Sequence, residues 1–326
     1  MSPRVLIALG GNAMTSADGS AHPADQIAAV TRAAEPIADV VAGGTEVVLT
    51  HGNGPQVGNL LVKNEMAASV VPPVPLDWCG AQTQGTIGAI LLNALERALL
   101  ARGVPKSVAA VVTRSRVDPA DAHFREPSKP IGRYLPAAQA RAMMGHGQVW
   151  QDRGDKGWRR VVASPQPLEV LDAAAVSALL AAGFVVIAAG GGGIPTVRDA
   201  DGTLRGVEAV IDKDLTAALL GQAIGADILV IATDVPGASL HFGTSRERPL
   251  GLVSVEEMRA YQAEGHFAGG SMGPKVDAAC RFVSSGGARA VITSLERIAD
   301  AIQDSSGASG TTVTLRRQPL DGYRKR

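Results

Sequence analysis

The sequence predicts an α/β protein built on an open, mostly parallel sheet with helices over both faces. Short, continuously apolar runs recur along the 326 residues, and those ending at Leu9, Thr50 and Ala189 lead into glycine turns. Amphipathic stretches long enough to be helices lie between them. Strands covered on both faces read as unbroken apolar runs, and strand–helix alternation is how a parallel sheet is connected. Aromatic residues make up 3% of the chain, so small aliphatic side chains fill this core.

The first run, Val5–Leu9, leads into Gly10-Gly11-Asn12. Ala24–Val41 follows as a helix that Pro36 either kinks or divides. Glu46–Thr50 is the next strand and ends in His51-Gly52-Asn53-Gly54. Pro55 then fits the first turn of a helix pointing at that glycine turn. Cys79–Arg102 reads as a helix and Val108–Thr113 as a strand. From about Val117 to Pro165 the periodicity weakens, charges and prolines appear with Trp150 and Trp158, and Arg153–Gly157 reads as an exposed hairpin turn. This stretch is expected to be a small excursion from one domain spanning 1–326, not a second domain.

Ala173–Val197 has no charged residue and is long enough to cross a membrane. Its breakers argue otherwise. Ala173–Ala182 suits a short helix stopped by Gly183, Phe184–Ala189 suits a buried strand, and Gly190–Gly193 with Pro195 break the chain again. Val207–Ile211 then runs toward Asp212-Lys213-Asp214, and Leu215–Ile224 is the next helix. Ile228–Ala232 is a strand that ends in Thr233-Asp234. Pro274–Ser285 is a helix that follows Gly270-Ser271-Met272-Gly273. Ala290–Thr293 and Thr311–Leu315 are strands, and Arg324-Lys325-Arg326 is expected to be a frayed, solvated end.

Formal charge balances at 31 basic and 31 acidic side chains, which argues against a nucleic-acid coat or a membrane-surface role. Cys79 and Cys280 have neither metal spacing nor a disulfide framework and are read as reduced and partly buried. The chain begins a strand at Arg4, leaving no room for a signal peptide, so a cytoplasmic protein is expected.

The chemistry is concentrated where strands end. In open parallel sheets ligands collect at the carboxyl ends of strands, and four such ends here should converge on one edge. Gly10-Gly11-Asn12 and Gly52-Asn53-Gly54 can each form a concavity lined by backbone N–H groups for an anion. One such turn can be merely a tight turn; a pair at successive strand ends points to a site. Asp212 suits a helix start, and its neighbour Asp214 can hold the Lys213 ammonium in place. Lys275 stands at another helix start, where a cation opposes the helix dipole unless an anion compensates it. Lys129 lies between Pro127 and Pro130 in what reads as a rigid loop. The two common nucleotide signatures, G-x-x-x-x-G-K-[ST] and G-x-G-x-x-G, are both unmatched. His51 and His266 lie near these turns, but a lone histidine is usually structural and neither is assigned catalysis. No histidine pair has metal spacing, so magnesium is expected to arrive with the nucleotide phosphates. Together the residues read as a phosphoryl-transfer site.

At these residues the sequence resembles the carbamate kinases of the amino-acid kinase superfamily, over nearly its whole length. The likeness rests on Ala8–Ala13, Thr50–Gly58, Ser128–Gly132, Trp158–Pro165, Gly206–Asp214, Gly265–Ala268 and Gly270–Val276. The resemblance implies an αβα sandwich with a small protruding subdomain, forming a homodimer. It implies ATP or ADP with Mg²⁺, and carbamate or carbamoyl phosphate, as the partners of a reversible transfer. It makes Lys213 and Lys275 the lysines on the nucleotide phosphates, Asp214 their positioning carboxylate, and Lys129 the subdomain lysine that closes over substrate. Gly10, Gly11, Asn12, Gly52, Asn53 and Gly54 become the backbone cradle, and Thr233, Asp234 and Met272 fall in the nucleotide half. The chain departs from the family pattern at Ala238–Phe242, at Gly269 and at Arg133. Another superfamily kinase acting on a small carboxylate or phosphonate would use the same ATP half, and a non-catalytic nucleotide sensor could keep the glycine turns. The Lys129 loop argues against the first, and three lysines with Asp214 against the second.

Overall fold

The structure is a computed structural model that describes residues 2–11, 22–267 and 271–316. Asn12, the Ala268–Gly270 part of the last glycine motif and the basic end Arg324–Arg326 lie outside the described residues.

Eight strands form the central sheet. In chain order they are β1 (Arg4–Leu9), β2 (Glu46–His51), β3 (Val108–Ala110), β9 (Val185–Ile187), β12 (Ile228–Thr233), β15 (Leu252–Ser254), β16 (Arg289–Ser294) and β17 (Thr311–Thr314). Their spatial order is β15-β17-β16-β12-β1-β2-β9-β3. All neighbours are parallel except β16 and β17. The alternation of side chains along β1 builds both sides of the molecule. Val5, Ile7 and Leu9 enter one apolar cluster and Leu6 and Ala8 the other.

The first cluster is covered by α1 (Pro23–Ala42), α3 (Leu76–Ala101) and α10 (Ile298–Gln303). The second is covered by α6 (Ala173–Ala181), α7 (Lys213–Ala223), α8 (Val255–Ala263) and α9 (Met272–Ser284). The result is the expected three-layer sandwich. Helix α1 runs unbroken through Pro36. Cys79 and Cys280 are free and wholly buried rather than partly so.

Several sequence expectations are trimmed by contacts from elsewhere in the chain. The run Val108–Thr113 splits, because the Gln84 side chain of α3 bonds both the N–H and the carbonyl of Thr113. The chain then enters a second sheet at β4 (Arg114–Val117), in the spatial order β11 (Leu204–Gly206), β10 (Ile194–Arg198), β4 and β8 (Pro167–Val170). The run Phe184–Ala189 keeps only Val185–Ile187 as strand, since Ala189 turns left-handed at φ 54. Val207–Ile211 is no strand and makes a single parallel bridge, Ala163 to Ala209. A short pair, β13 (Ser239–Leu240) and β14 (Arg248–Pro249), completes this half. Among the described residues no helix is long and apolar enough to cross a membrane.

The stretch with weak periodicity contains a three-stranded antiparallel sheet, β5 (Lys129–Leu135), β7 (Trp158–Val162) and β6 (Trp150–Asp152) in that order. Arg153–Gly157 turns β6 into β7. Helix α4 (Ala122–Arg125) precedes it, and α5 (Ala137–Met144) packs on it through Leu135, Ala140, Met143 and Trp150. Val162 seats the sheet on α2 (Gly54–Ala67) and on the start of α3.

Candidate active site

The parallel register brings the strand ends level. Leu9 pairs with His51 on one side and with Ala232 on the other, so Gly10, Gly52 and Asp234 leave the sheet along one edge. The neighbouring strand β9 delivers Gly190–Gly193 there. A cleft of about 710 Å³ opens at this edge, between the main sheet and the small one.

The lysines form its floor. Asp212 caps α7, its Oδ1 accepting from the N–H groups of Asp214 at 2.9 Å and Leu215 at 3.2 Å. That fixes Lys213 in the first turn. Lys275 stands in the first turn of α9. Both ammonium groups donate to Asp214, Lys213 Nζ to Oδ1 at 2.5 Å and Lys275 Nζ to Oδ2 at 2.9 Å. Asp214 is 3% exposed and Lys275 9%. Burial alone would raise the Asp214 carboxyl, but the two ammonium charges overcome it and hold the group below the usual carboxylate range. Burial lowers the Lys213 ammonium pKa, and the nearby Lys275 charge lowers it further. Each ammonium group keeps N–H donors beyond its bond to Asp214, at helix starts that also favour an anion.

The glycine turns contribute differently from what their sequence suggests. The Gly10 N–H donates to the Ala232 carbonyl at 3.2 Å, and the Gly52 N–H donates to the Leu9 carbonyl at 3.0 Å. These amides close the sheet and are not free donors for an anion. What Gly52 supplies is closeness. A Cβ there would lie 2.9 Å from the Gly11 nitrogen and 3.4 Å from Lys213 Cδ. Gly11, Asn53 and Gly54 line the cleft. Helix α2 starts at Gly54 without a side-chain cap from Asn53, and Gly54, Pro55, Val57 and Gly58 at this uncapped, positive end line the cleft. The Asn53 amide group instead donates to Thr83 Oγ1 at 2.9 Å.

The small sheet supplies the roof. Lys129 is exposed and is the first residue of strand β5, a correction to the loop expected from its flanking prolines. Arg133 and Arg159 of the same sheet also line the cleft. Arg133 pairs with Glu65 of α2 at 2.8 Å, and the Arg159 guanidinium stands 5.0 Å from the centre of the Tyr134 ring.

His51 lies under the floor and is 1% exposed. Burial, reinforced by the Lys213 charge, pushes its pKa down to about 4, so the ring is neutral at pH 7. Its Nδ1 sits 2.8 Å from the Gly52 carbonyl, so a neutral ring donates from Nδ1.

The structure does not bring every expected residue to the cleft. Gly10, Thr233, Asp234 and Met272 are outside its lining. Thr233 Oγ1 donates to Asp234 Oδ1 at 3.0 Å, and Met272 packs on the apolar cluster beside α9. Conversely, Gly191, Gly193, Ser164, Arg159 and Ser271 line the cleft although the sequence assigns them no individual site role. The Gly190–Gly193 loop left a signal in its composition. Gly191, Gly192 and Gly193 all have positive φ, and a Cβ on them would fall 2.2 to 2.6 Å from Asn53, Ile211 and Ser115. Among the described residues no three His, Cys, Asp or Glu side chains gather as a metal site.

The sequence profile of the amino acid kinase family matches residues 3–294. The chain belongs to the amino acid kinase family. Within that family its relatives place it among the carbamate kinases. The carbamate kinase of Pyrococcus horikoshii is 44% identical over 96% of this chain and 100% of its own length. That of Thermococcus kodakarensis is 47% identical over 95% of this chain and 98% of its own. The carbamate kinase of Giardia lamblia bound to AMP-PNP is 39% identical, with a TM-score of 0.90 over 96% of this chain and 98% of that one. The amino acid kinase fold therefore extends over nearly all of this sequence, and the protein is a kinase.

Proposed function

We propose that this protein is an ATP:carbamate phosphotransferase, converting ATP and carbamate reversibly to ADP and carbamoyl phosphate. The observation that carries the reading is the floor of the cleft, where Lys213 and Lys275 share the single buried carboxylate of Asp214 beneath a sheet that begins with Lys129. The relatives' activity gives the substrate.

The chemistry suits this residue set. A carbamate oxygen attacks the γ-phosphorus, the bond from that phosphorus to the β,γ-bridging oxygen breaks, and ADP leaves with that bond's electron pair. The attacking oxygen is already anionic, so no proton has to be removed, and a neutral, buried His51 fits a reaction without a general base. The difficulty is charge, because an anion approaches a polyanion. Positioned cations and backbone dipoles in a partly dry cleft oppose that repulsion. In this reading Lys213 and Lys275 hold the phosphates, Asp214 fixes both ammonium groups, and Gly11 with the uncapped start of α2 faces the moving phosphoryl group. Asn12 belongs to the same cradle, Lys129 closes over the carbamoyl end, and Thr233, Asp234 and Met272 flank the nucleotide. Magnesium enters as part of the nucleotide substrate and neutralises phosphate charge. The stretch from about 117 to 165 acts as the lid within a single domain, and a cytoplasmic homodimer belongs to the same reading.

The deciding experiment is ATP formation from ADP, Mg²⁺ and carbamoyl phosphate by the pure protein, with the products identified. ATP that appears only with carbamoyl phosphate supports the assignment. Turnover with another acyl phosphate or a phosphonate instead, or nucleotide binding with no turnover, would replace it.

A further inference from the structure

Arg160 is a buried cation that the phosphoryl-transfer reading does not use. It lies in β7, the middle strand of the small sheet, and is 3% exposed. Its guanidinium Nη2 donates to Glu208 Oε1 at 3.0 Å, and its buried Nε has no hydrogen-bond partner among the described residues. The same Glu208 oxygen accepts the N–H of Leu76, the first residue of α3, at 2.9 Å. One carboxylate therefore joins the small sheet, the start of α3 and the segment leading to Asp212, Lys213 and Asp214. That segment is tied to the small sheet a second time, where the Val210 N–H donates to the Ala163 carbonyl at 3.0 Å.

Stability is a poor explanation for this arrangement. Burying a guanidinium with one of its donors unpaired costs desolvation that a single ion pair does not recover, and an apolar side chain of similar size would serve packing as well or better. Packing already has its own residues here, since Val162 and Ile131 meet Leu61, Leu76 and Cys79 on the same side. Geometry gives the pair another use. Lys129 begins β5, the strand paired with β7, with Ile131 opposite Arg160. Glu208 lies a short, bridged segment ahead of the Asp212 cap that sets Lys213. The ion pair thus spans the two structural units whose lysines face each other across the cleft.

We propose that Arg160 and Glu208 are positioning residues that hold the Lys129 sheet in register with the Lys213–Asp214 helix start. The pair touches no reacting atom and acts through the placement of the two lysine-bearing units. Misplacement of about 1 Å at a reacting centre costs up to about a hundredfold in rate, so small slippage of either unit is enough to be seen. The proposal rests on the reading that Lys129 and Lys213 serve one phosphoryl transfer.

The test uses Glu208→Gln, Arg160→Lys, Arg160→Met and the double variant Arg160→Met/Glu208→Gln in the full chain. With ADP and carbamoyl phosphate, Glu208→Gln and Arg160→Met should each lower kcat by about tenfold or more. Kd for ADP should stay within about twofold, because ADP binding does not need the roof in register. The double variant should be no slower than the slower single one, and Arg160→Lys should recover part of kcat by restoring the charge. Hydrogen exchange in ADP-bound protein gives a readout independent of turnover. The amides of Asp214 and Leu215, which bond Asp212, should exchange faster in Glu208→Gln and Arg160→Met than in the parent. Unchanged kcat in folded Glu208→Gln, additive losses in the double variant, or unaltered exchange at those amides would overturn the proposal. If the parent makes no ATP from carbamoyl phosphate, the substrate assignment fails and the exchange result still decides the pair. If Arg160→Met does not fold, Glu208→Gln and Arg160→Lys carry the test.

Discussion

Asp214 decides how much positive charge the cleft floor holds. Two ammonium groups share its carboxylate, and removing either lysine takes one positive charge from the floor. Lys213→Ala and Lys275→Ala should therefore each lower turnover by about 10²–10³-fold, the usual loss for one preorganised donor to a developing charge. Both variants should give cooperative melts, because the remaining lysine still pairs Asp214; near-normal turnover in a folded variant would remove that lysine from the mechanism. His51 sets a different dependence. In the unfolded chain an ordinary histidine takes up its proton near pH 6.5, whereas the buried ring resists it down to about pH 4. The folded pKa is the lower one, so the stability tied to His51 is fully present above about pH 6.5 and is lost as pH falls toward 4. The loss is on the order of 3 kcal/mol over that window. Thermal melts between about pH 7 and 4.5 should show it, and His51→Gln, which keeps a donor for the Gly52 carbonyl, should flatten the slope. A parent melting temperature that does not change over this range would mean that the ring is protonated without penalty.

At the scale of elements, the turn after β2 and the small sheet behave as separable parts. Gly52 has no room for a Cβ, since the Gly11 backbone and Lys213 are in the way, whereas the same atom on Gly11 would, among the described residues, meet only Pro55 Cδ at 3.6 Å. Neither glycine has positive φ, so space rather than backbone strain separates them. Gly52→Ala should lose most of its turnover by pushing Gly11 and Lys213 apart, and Gly11→Ala should keep more of it at a similar melting temperature. The opposite ranking in paired assays would move the close approach elsewhere. For the small sheet, Lys129→Ala should weaken use of carbamoyl phosphate more than binding of ADP. Steady-state kinetics set beside ADP calorimetry will show the difference, and equal losses in both would detach Lys129 from the acyl phosphate. Much of this was legible in the chain. Continuous apolar runs located β1, β2, β12 and β16, because burial on both faces demands such runs. Lys129 was misread as a loop because β5 contains Pro130 and Gly132 and is largely exposed, which hides the period of a strand. The bonded state of the Gly10 and Gly52 amides could not be read locally. It depends on Ala232 and Leu9 across two strand pairs, and no spacing in the sequence encodes that register.

For the whole molecule, one sheet with a lysine floor and a lysine-bearing roof was foreseeable, and the joints between them were not. The break at Thr113 depends on Gln84, and the tie between Arg160 and Glu208 depends on folding together segments 48 positions apart. Such pairs are set by three-dimensional packing and leave no local pattern. The central sheet also ends openly at β3, a strand of 3 residues, with Leu100 at 79% and Val112 at 59% exposure in the chain flanking it. Edge strands left bare invite pairing, and exposed apolar side chains gain by burial. The homodimer implied by the family resemblance would cover such surface, so sedimentation at micromolar concentration should give twice the 33.4 kDa chain mass. A monomer under those conditions would remove the dimer from the proposal.

The strand order has a consequence during synthesis. β1 is made first, yet one of its two neighbours is β12, and the Arg4 N–H bonds Asp227 across 223 positions. While the nascent chain leaves the ribosome, β1 and β2 can pair, but the far edge of β1 stays bare until the 223 positions that separate Arg4 from Asp227 have been made. Lys275 arrives later still, after β12 has closed that edge. Long-range parallel pairing is slow, and an apolar strand with an open edge is a template for the wrong partner. Translation therefore passes through a long interval in which the hydrophobic centre of the sheet is half built and the cleft has no floor, and in that interval the bare apolar edge is open to mispairing.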